Sequence, residues 1–184
     1  SREHLKSKIS LSNTTDDVGK CFNKLDVIYM PNDVLAGNYL ENWVEVFCSS
    51  DRAIIICLDP IATSVGAART SEAKNRISLL SIEQNAWFFA SLDSRLTVVS
   101  NKTELDWVKK NNKAVVWSPS KIIVDSFDRI EISSDSWNLA CWLATKFEAD
   151  RVVRITIEKE NFFGNAQSDP QNFLSLRETD WKNF

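Results

Sequence analysis

The chain has 184 residues, a formal net charge of −3, four cysteines and a single histidine, His4. This charge argues against nucleic acid or an anionic membrane surface as a partner, because such binding requires a basic face. No two cysteines form a C-x-x-C pair, which argues against a disulfide framework and a zinc site. We therefore expect a cytoplasmic protein with one domain over residues 1–184, in which 1–25 and 159–184 are terminal extensions.

Apolar runs of strand type alternate along the chain with segments of helical periodicity. Strands are predicted over residues 26–30, 53–58, 95–100, 114–117 and 151–157. Helices are predicted over residues 39–47, 71–92 and 102–110, and from Ser134 or Ser136 to Phe147. A short helix capped by Thr15 or Asp16 is predicted before Leu25, and an irregular polar tail after residue 159. The alternation predicts an open, mainly parallel α/β sheet with helices on both faces, a three-layer αβα arrangement.

Polar residues in the turns at the carboxyl ends of these strands are the candidate ligand-binding residues, because open α/β sheets bind ligands at that edge. They are Asn32, Asp33 and Asp59, and Asp135 in a later polar turn could join them. Three carboxylates at one edge could bind a divalent cation, but aspartate is also a common turn residue, and we expect that role and no metal. Ser134, Asp135 and Ser136 lie at the start of a predicted helix, where such side chains commonly act as caps, and a helix start also attracts anions.

The order and spacing of these segments resemble the amino-acid kinase superfamily, which includes acetylglutamate, aspartate and uridylate kinases. The resemblance is carried by DVIYM, AIIICLDP, LLSIEQNAWFFASL and ISSDSWNLACWLATKFEADRVVRI. The chain looks most like the short members associated with methanofuran-type, one-carbon cofactor biosynthesis. The resemblance implies the kinase fold over most of the chain. It also implies that Ser134, Asp135 and Ser136 are candidate ligand-binding residues, because their run resembles the T-S-D-S turn that the family uses near the phosphates and the substrate.

The phosphate-binding groups of that family are missing at the matching positions. The family has K-x-G-G-S after its first strand, G-G-G after the next and a lysine at the end of a late strand. Here the two turns are Pro31-Asn32-Asp33 and Leu58-Asp59-Pro60, and the two lysine positions fall on Tyr29 and Thr156. Glycine lets backbone N–H groups approach phosphate oxygens, whereas proline has no N–H to donate. The resemblance therefore implies a degenerate member, a pseudokinase.

Three functions are compatible with the sequence. The first, which we favour, is a non-catalytic kinase-like subunit that binds a protein partner or a small anion, with no catalytic residue and no cofactor. The second is an active small-molecule phosphotransferase that uses ATP and Mg²⁺ at a rebuilt phosphate site. The third is an unrelated Rossmann-like binding module that shares only the α/β pattern.

The long helix predicted over residues 71–92 carries three consecutive aromatic residues, Trp87, Phe88 and Phe89. Successive helical residues point about 100° apart, so one sheet cannot cover all three rings. Kinases of the superfamily commonly pair through this helix, with nearly continuous sheets. We expect a homodimer, or a heterodimer with a kinase-like paralogue. The alternative is that residues 1–25 or the tail around Trp181 cover the extra ring.

Overall fold

The computed structural model describes residues 24–61, 67–119, 135–157 and 172–184. The short helix predicted before Leu25 lies outside these residues, as does Ser134. The strands are β1 (Leu25–Met30), β2 (Ala53–Leu58), β3 (Val98–Val99), β4 (Ala114–Trp117), β5 (Arg151–Thr156) and β6 (Phe173–Arg177). The helices are α1 (Asn32–Leu35), α2 (Leu40–Cys48), α3 (Ser71–Ala90), α4 (Lys102–Asn111) and α5 (Trp137–Lys146), followed by a 3₁₀ helix at Glu178–Asn183.

The six strands form one parallel sheet in the order β3-β4-β2-β1-β5-β6. This arrangement confirms the predicted α/β class, with β2 and β5 in the interior of the sheet. Strand β1 pairs with β2 in register from Leu25 opposite Ala53 to Met30 opposite Leu58. The turns that follow these two strands therefore lie side by side at the carboxyl edge.

Both faces of the central strands are buried. On one face Val27 and Ile55 belong to a core that includes residues of α4 and α5. On the other face Ile28 and Ile56 belong to a second core, with residues of α2 and the C-terminal half of α3. Burial on both faces explains why β1 and β2 are almost continuously apolar in sequence. Among the described helices, none is long and apolar enough to span a membrane.

The structure differs from the sequence prediction at both edges of the sheet. Strand β3 covers only Val98–Val99 instead of residues 95–100. The tail predicted to be irregular forms β6, which pairs with β5, and the 3₁₀ helix. After this helix, the Phe184 ring packs edge-on against Phe47, with the ring centroids 5.5 Å apart. Strand β6 was missed because its short apolar run lies in a mostly polar tail that is broken by Asp169-Pro170.

Candidate functional site

A buried carboxylate lies at the centre of the carboxyl edge of the sheet. Asp59 follows β2 directly and is only 6% exposed. Its Oδ1 accepts hydrogen bonds from the Tyr29 hydroxyl and the Ser136 backbone N–H, each at 2.8 Å. Its Oδ2 accepts a 3.3 Å hydrogen bond from the Asn32 backbone N–H. One side chain therefore joins β1, the start of α1 and the start of α5.

The strand register explains why Tyr29 reaches this carboxylate. Tyr29 lies opposite Cys57 in the β1–β2 pair, and Asp59 comes two residues later. Residues two apart on a strand point to the same face of the sheet, so the tyrosine and the carboxylate project from the same side. The phenol ring also meets the Trp137 ring edge-on, with centroids 5.6 Å apart. Tyr29 is thus fixed from two sides.

Asn85 of α3 connects the segment after β1 to the turn after β2 through hydrogen bonds. Its Nδ2 donates a 2.7 Å hydrogen bond to the backbone carbonyl of Asp59 and a longer one, 3.4 Å, to Asn32 Oδ1. The Asn32 side chain in turn donates from Nδ2 to the Pro60 carbonyl at 2.9 Å. These bonds give the turns a fixed shape without the glycines that the resemblance would require.

Burial raises the pKa of the Asp59 carboxyl to about 6, although its three hydrogen bonds each lower it. The nearby charge of Asp135 adds a smaller upward contribution to this pKa. The pKa of the Tyr29 hydroxyl is also raised, far above its usual value, mainly by burial and next by the charge of Asp59. At neutral pH the tyrosine is therefore a proton donor and the aspartate an anion.

A buried arginine flanks this network and was not predicted from the sequence. Arg154 of β5 lies opposite Tyr29 in the β1–β5 pair. Its guanidinium carbon is 5.8 Å from the centroid of the Tyr29 ring and 5.7 Å from that of the Trp137 ring. A cation at these distances from aromatic faces is attracted by them. The available signal in the sequence was an arginine that interrupts an otherwise apolar strand.

The structure brings together three of the predicted ligand-binding residues, namely Asn32, Asp59 and Ser136. Asp33 is exposed in the first turn of α1 and makes no contact in this network. Asp135 is also exposed, and its Oδ1 accepts a 3.1 Å hydrogen bond from the Trp137 N–H at the start of α5. Within the described parts of the chain, no three His, Cys, Asp or Glu side chains are grouped to hold a metal ion.

The three aromatic residues of α3 have different environments. Trp87 and Phe88 are exposed, whereas Phe89 is fully buried in the core of its own chain. Phe89 therefore contributes to the packing of the domain and is not part of the outer surface of the helix. The other two rings remain candidates for an interface.

The structure of uridylate kinase from Archaeoglobus fulgidus resembles this chain, with a TM-score of 0.56. The likeness covers 79% of this chain and 70% of the kinase. The fold is that of the amino-acid kinases. Sequence identity is 13%, so this likeness shows the fold alone. No family model and no curated protein matches the sequence.

Proposed function

We propose that this chain is a kinase-like protein that has lost phosphoryl transfer and works as a partner subunit. The observation that carries the proposal is the Asp59 carboxylate, buried at the ligand edge of a kinase fold. The backbone N–H groups of Asn32 and Ser136 already donate to it. In the kinases that the chain resembles, the corresponding turns offer such groups to phosphate oxygens.

An ionised Asp59 also opposes a nucleotide phosphate electrostatically. Two unit charges about 4 Å apart at an effective dielectric constant near 20 repel by about 4 kcal/mol. A cost of this size lowers affinity by about a thousandfold. Moving the carboxylate away would relieve the repulsion but would break its three hydrogen bonds.

The positions that match the two family lysines supply no positive charge. Tyr29 donates its hydroxyl proton to Asp59, and its raised pKa keeps the group neutral. Thr156 is buried, and its hydroxyl lies 3.5 Å from the Leu176 carbonyl. Phosphoryl transfer depends on neutralising the charge of the transferred group, so both substitutions support a non-catalytic role.

Arg154 favours a second candidate, a rebuilt anion or phosphate site. Its guanidinium is a buried cation next to Tyr29, and it lowers the pKa of that hydroxyl against the effect of burial. Under this alternative, Arg154 would replace a family lysine. Nucleotide binding with Mg²⁺ distinguishes the two candidates. The third hypothesis, an unrelated Rossmann-like module, is disfavoured by the likeness to uridylate kinase.

The outer face of α3 supports the partner role. Leu80 and Trp87, seven residues apart and therefore on one side of the helix, are 64% and 61% exposed. Phe88 and Leu92 are exposed beside them. Clustered apolar side chains of this size are unusual on the surface of a monomer, and tryptophan is frequent among the residues that dominate binding energy.

An apolar groove continues this face towards the edge of the sheet. It has a volume of about 430 Å³ and is lined by Trp87, Ala90, Ser91, Leu96, Thr97 and Val98. The last of these residues belongs to β3, which is the end strand of the described sheet. We propose that a second copy of this chain, or a kinase-like paralogue, covers both the helix face and the groove.

Sedimentation of the wild type beside Trp87→Glu tests the partner role. We expect a dimeric wild type and a monomeric variant, because a carboxylate at this position would be buried without a partner. Trp107→Glu is the matched control, since Trp107 is similarly exposed, at 51%, but lies on α4. A monomeric wild type that also captures no kinase-like paralogue from its native source would contradict the proposal.

A further inference from the structure

Three hydrogen-bond donors surround the Asp59 carboxylate, and we call the space that they enclose the anion niche. Its three donors come from different parts of the chain: the Tyr29 hydroxyl from β1, the Asn32 N–H from the next turn and the Ser136 N–H from the start of α5. All three converge on one group that is almost completely buried. Hydrogen bonds from such donors to an ionised acceptor are stronger than neutral ones.

The arrangement suits a carboxylate better than a phosphate. Two donors meet at one oxygen and one donor at the other, so both oxygens of a planar carboxylate are bound and three of its roughly four acceptor positions are used. A tetrahedral phosphate would bring further oxygens and a second negative charge into the same buried space. Asp135 already acts on this space with a negative charge, as its effect on the Asp59 pKa shows. The negative charge of Asp135 opposes a dianion, and the Arg154 cation beside Tyr29 offsets only part of that opposition, so the planar geometry and the charge together favour a monoanionic carboxylate.

We infer that this niche is a carboxylate-binding site occupied by the protein's own Asp59, and that free formate binds there once the Asp59 side chain is removed. Formate has the same three heavy atoms as the carboxyl group that is lost. The inference rests on the proposed function in one respect, namely that the niche lies at the ligand edge of a kinase fold. The proposed function itself is tested separately on the wild type, by nucleotide titration and sedimentation.

The test compares the melting temperatures of Asp59→Gly in sodium formate and in sodium chloride at equal ionic strength. Glycine is chosen because it also removes Cβ, which would press against the carbon of a bound formate. At a formate concentration of about ten times the dissociation constant, we expect a rise of roughly 3 to 6 °C over chloride. The wild type should show no such rise, since its niche is occupied.

Asp33→Gly is the matched control, because Asp33 is an exposed aspartate in the adjacent turn. It should respond equally to formate and chloride. Adding Tyr29→Phe to Asp59→Gly removes one donor and should weaken formate binding by about tenfold. Equal melting temperatures of Asp59→Gly in the two salts, or an equal formate effect on Asp33→Gly, would overturn the inference.

Two further outcomes decide the remaining cases. If Asp59→Gly does not fold in chloride, circular dichroism in formate becomes the measurement. Folding restored by formate supports the niche, and an unfolded chain in both salts overturns it.

Inorganic phosphate at the same ionic strength forms the last arm of the experiment. A larger stabilisation by phosphate than by formate would overturn the assignment to carboxylates.

Discussion

Replacing Asp59 with asparagine should remove a specific part of the pH dependence of stability. Burial raises the pKa of this carboxyl from 3.8 to about 6 in the folded protein. The folded state therefore holds the proton more tightly than the unfolded state, so protonation stabilises the fold as the pH falls below about 6. The ionised form at neutral pH is correspondingly less stable. A pKa shift of about two units corresponds to a change of about 3 kcal/mol in the free energy of unfolding once the pH has crossed both pKa values.

The assay is urea unfolding of both proteins, followed by tryptophan fluorescence, at several pH values between about 8 and 4.5. The asparagine side chain of the variant does not titrate, so the other carboxylates cancel in the difference between the two proteins. Relative to Asp59→Asn, the wild type should gain about 2 kcal/mol of unfolding free energy between these limits. A difference that is constant with pH, or one that falls towards acid, would refute the buried, ionised carboxylate.

Two further substitutions test the surroundings of the site and the amino-terminal ends of the central strands. Asn85→Ala removes the bonds to the Asp59 carbonyl and to Asn32, and should lower the unfolding free energy by about 1 to 3 kcal/mol. The exposed neighbour Gln84→Ala should change it by less than about 0.5 kcal/mol, and equal effects would contradict the role of Asn85. Asp26→Ala leaves Arg52 and Arg151 without their fully buried carboxylate and should cost about 3 to 5 kcal/mol in denaturant unfolding. A loss below about 1 kcal/mol would show that water replaces this carboxylate readily.

Local sequence signals located some elements well and others poorly. The bounds of β2 and β4 were predicted as observed, because each is a β-branched run closed by a proline turn. In contrast, β6 depends on its pairing with β5, which no local pattern reveals. The face of α3 was also ambiguous. Leu80 and Trp87 are apolar but exposed, whereas Leu79 and Phe89 are buried.

The candidate site could be predicted only in part, for a similar reason. The rule that ligands bind at the carboxyl ends of strands located Asn32 and Asp59, and the resemblance to T-S-D-S located Ser136. The structure joins these three residues through one carboxylate. The rule could not tell which aspartate of a turn points inward, since that depends on the path of the backbone. Asn85 and Arg154 were missed because their roles arise from contacts between distant segments. Such contacts follow from the sheet order and are absent from any short stretch of sequence.

The most direct test of the central claim is calorimetric titration of the wild-type protein with ATP and Mg²⁺. With Asp59 filling the anion niche and neutral residues at both lysine positions, we predict no binding heat up to about 1 mM nucleotide. The Asp59→Asn variant, titrated alongside, shows whether the carboxylate alone prevents binding. A dissociation constant of the wild type in the low micromolar range would contradict the account.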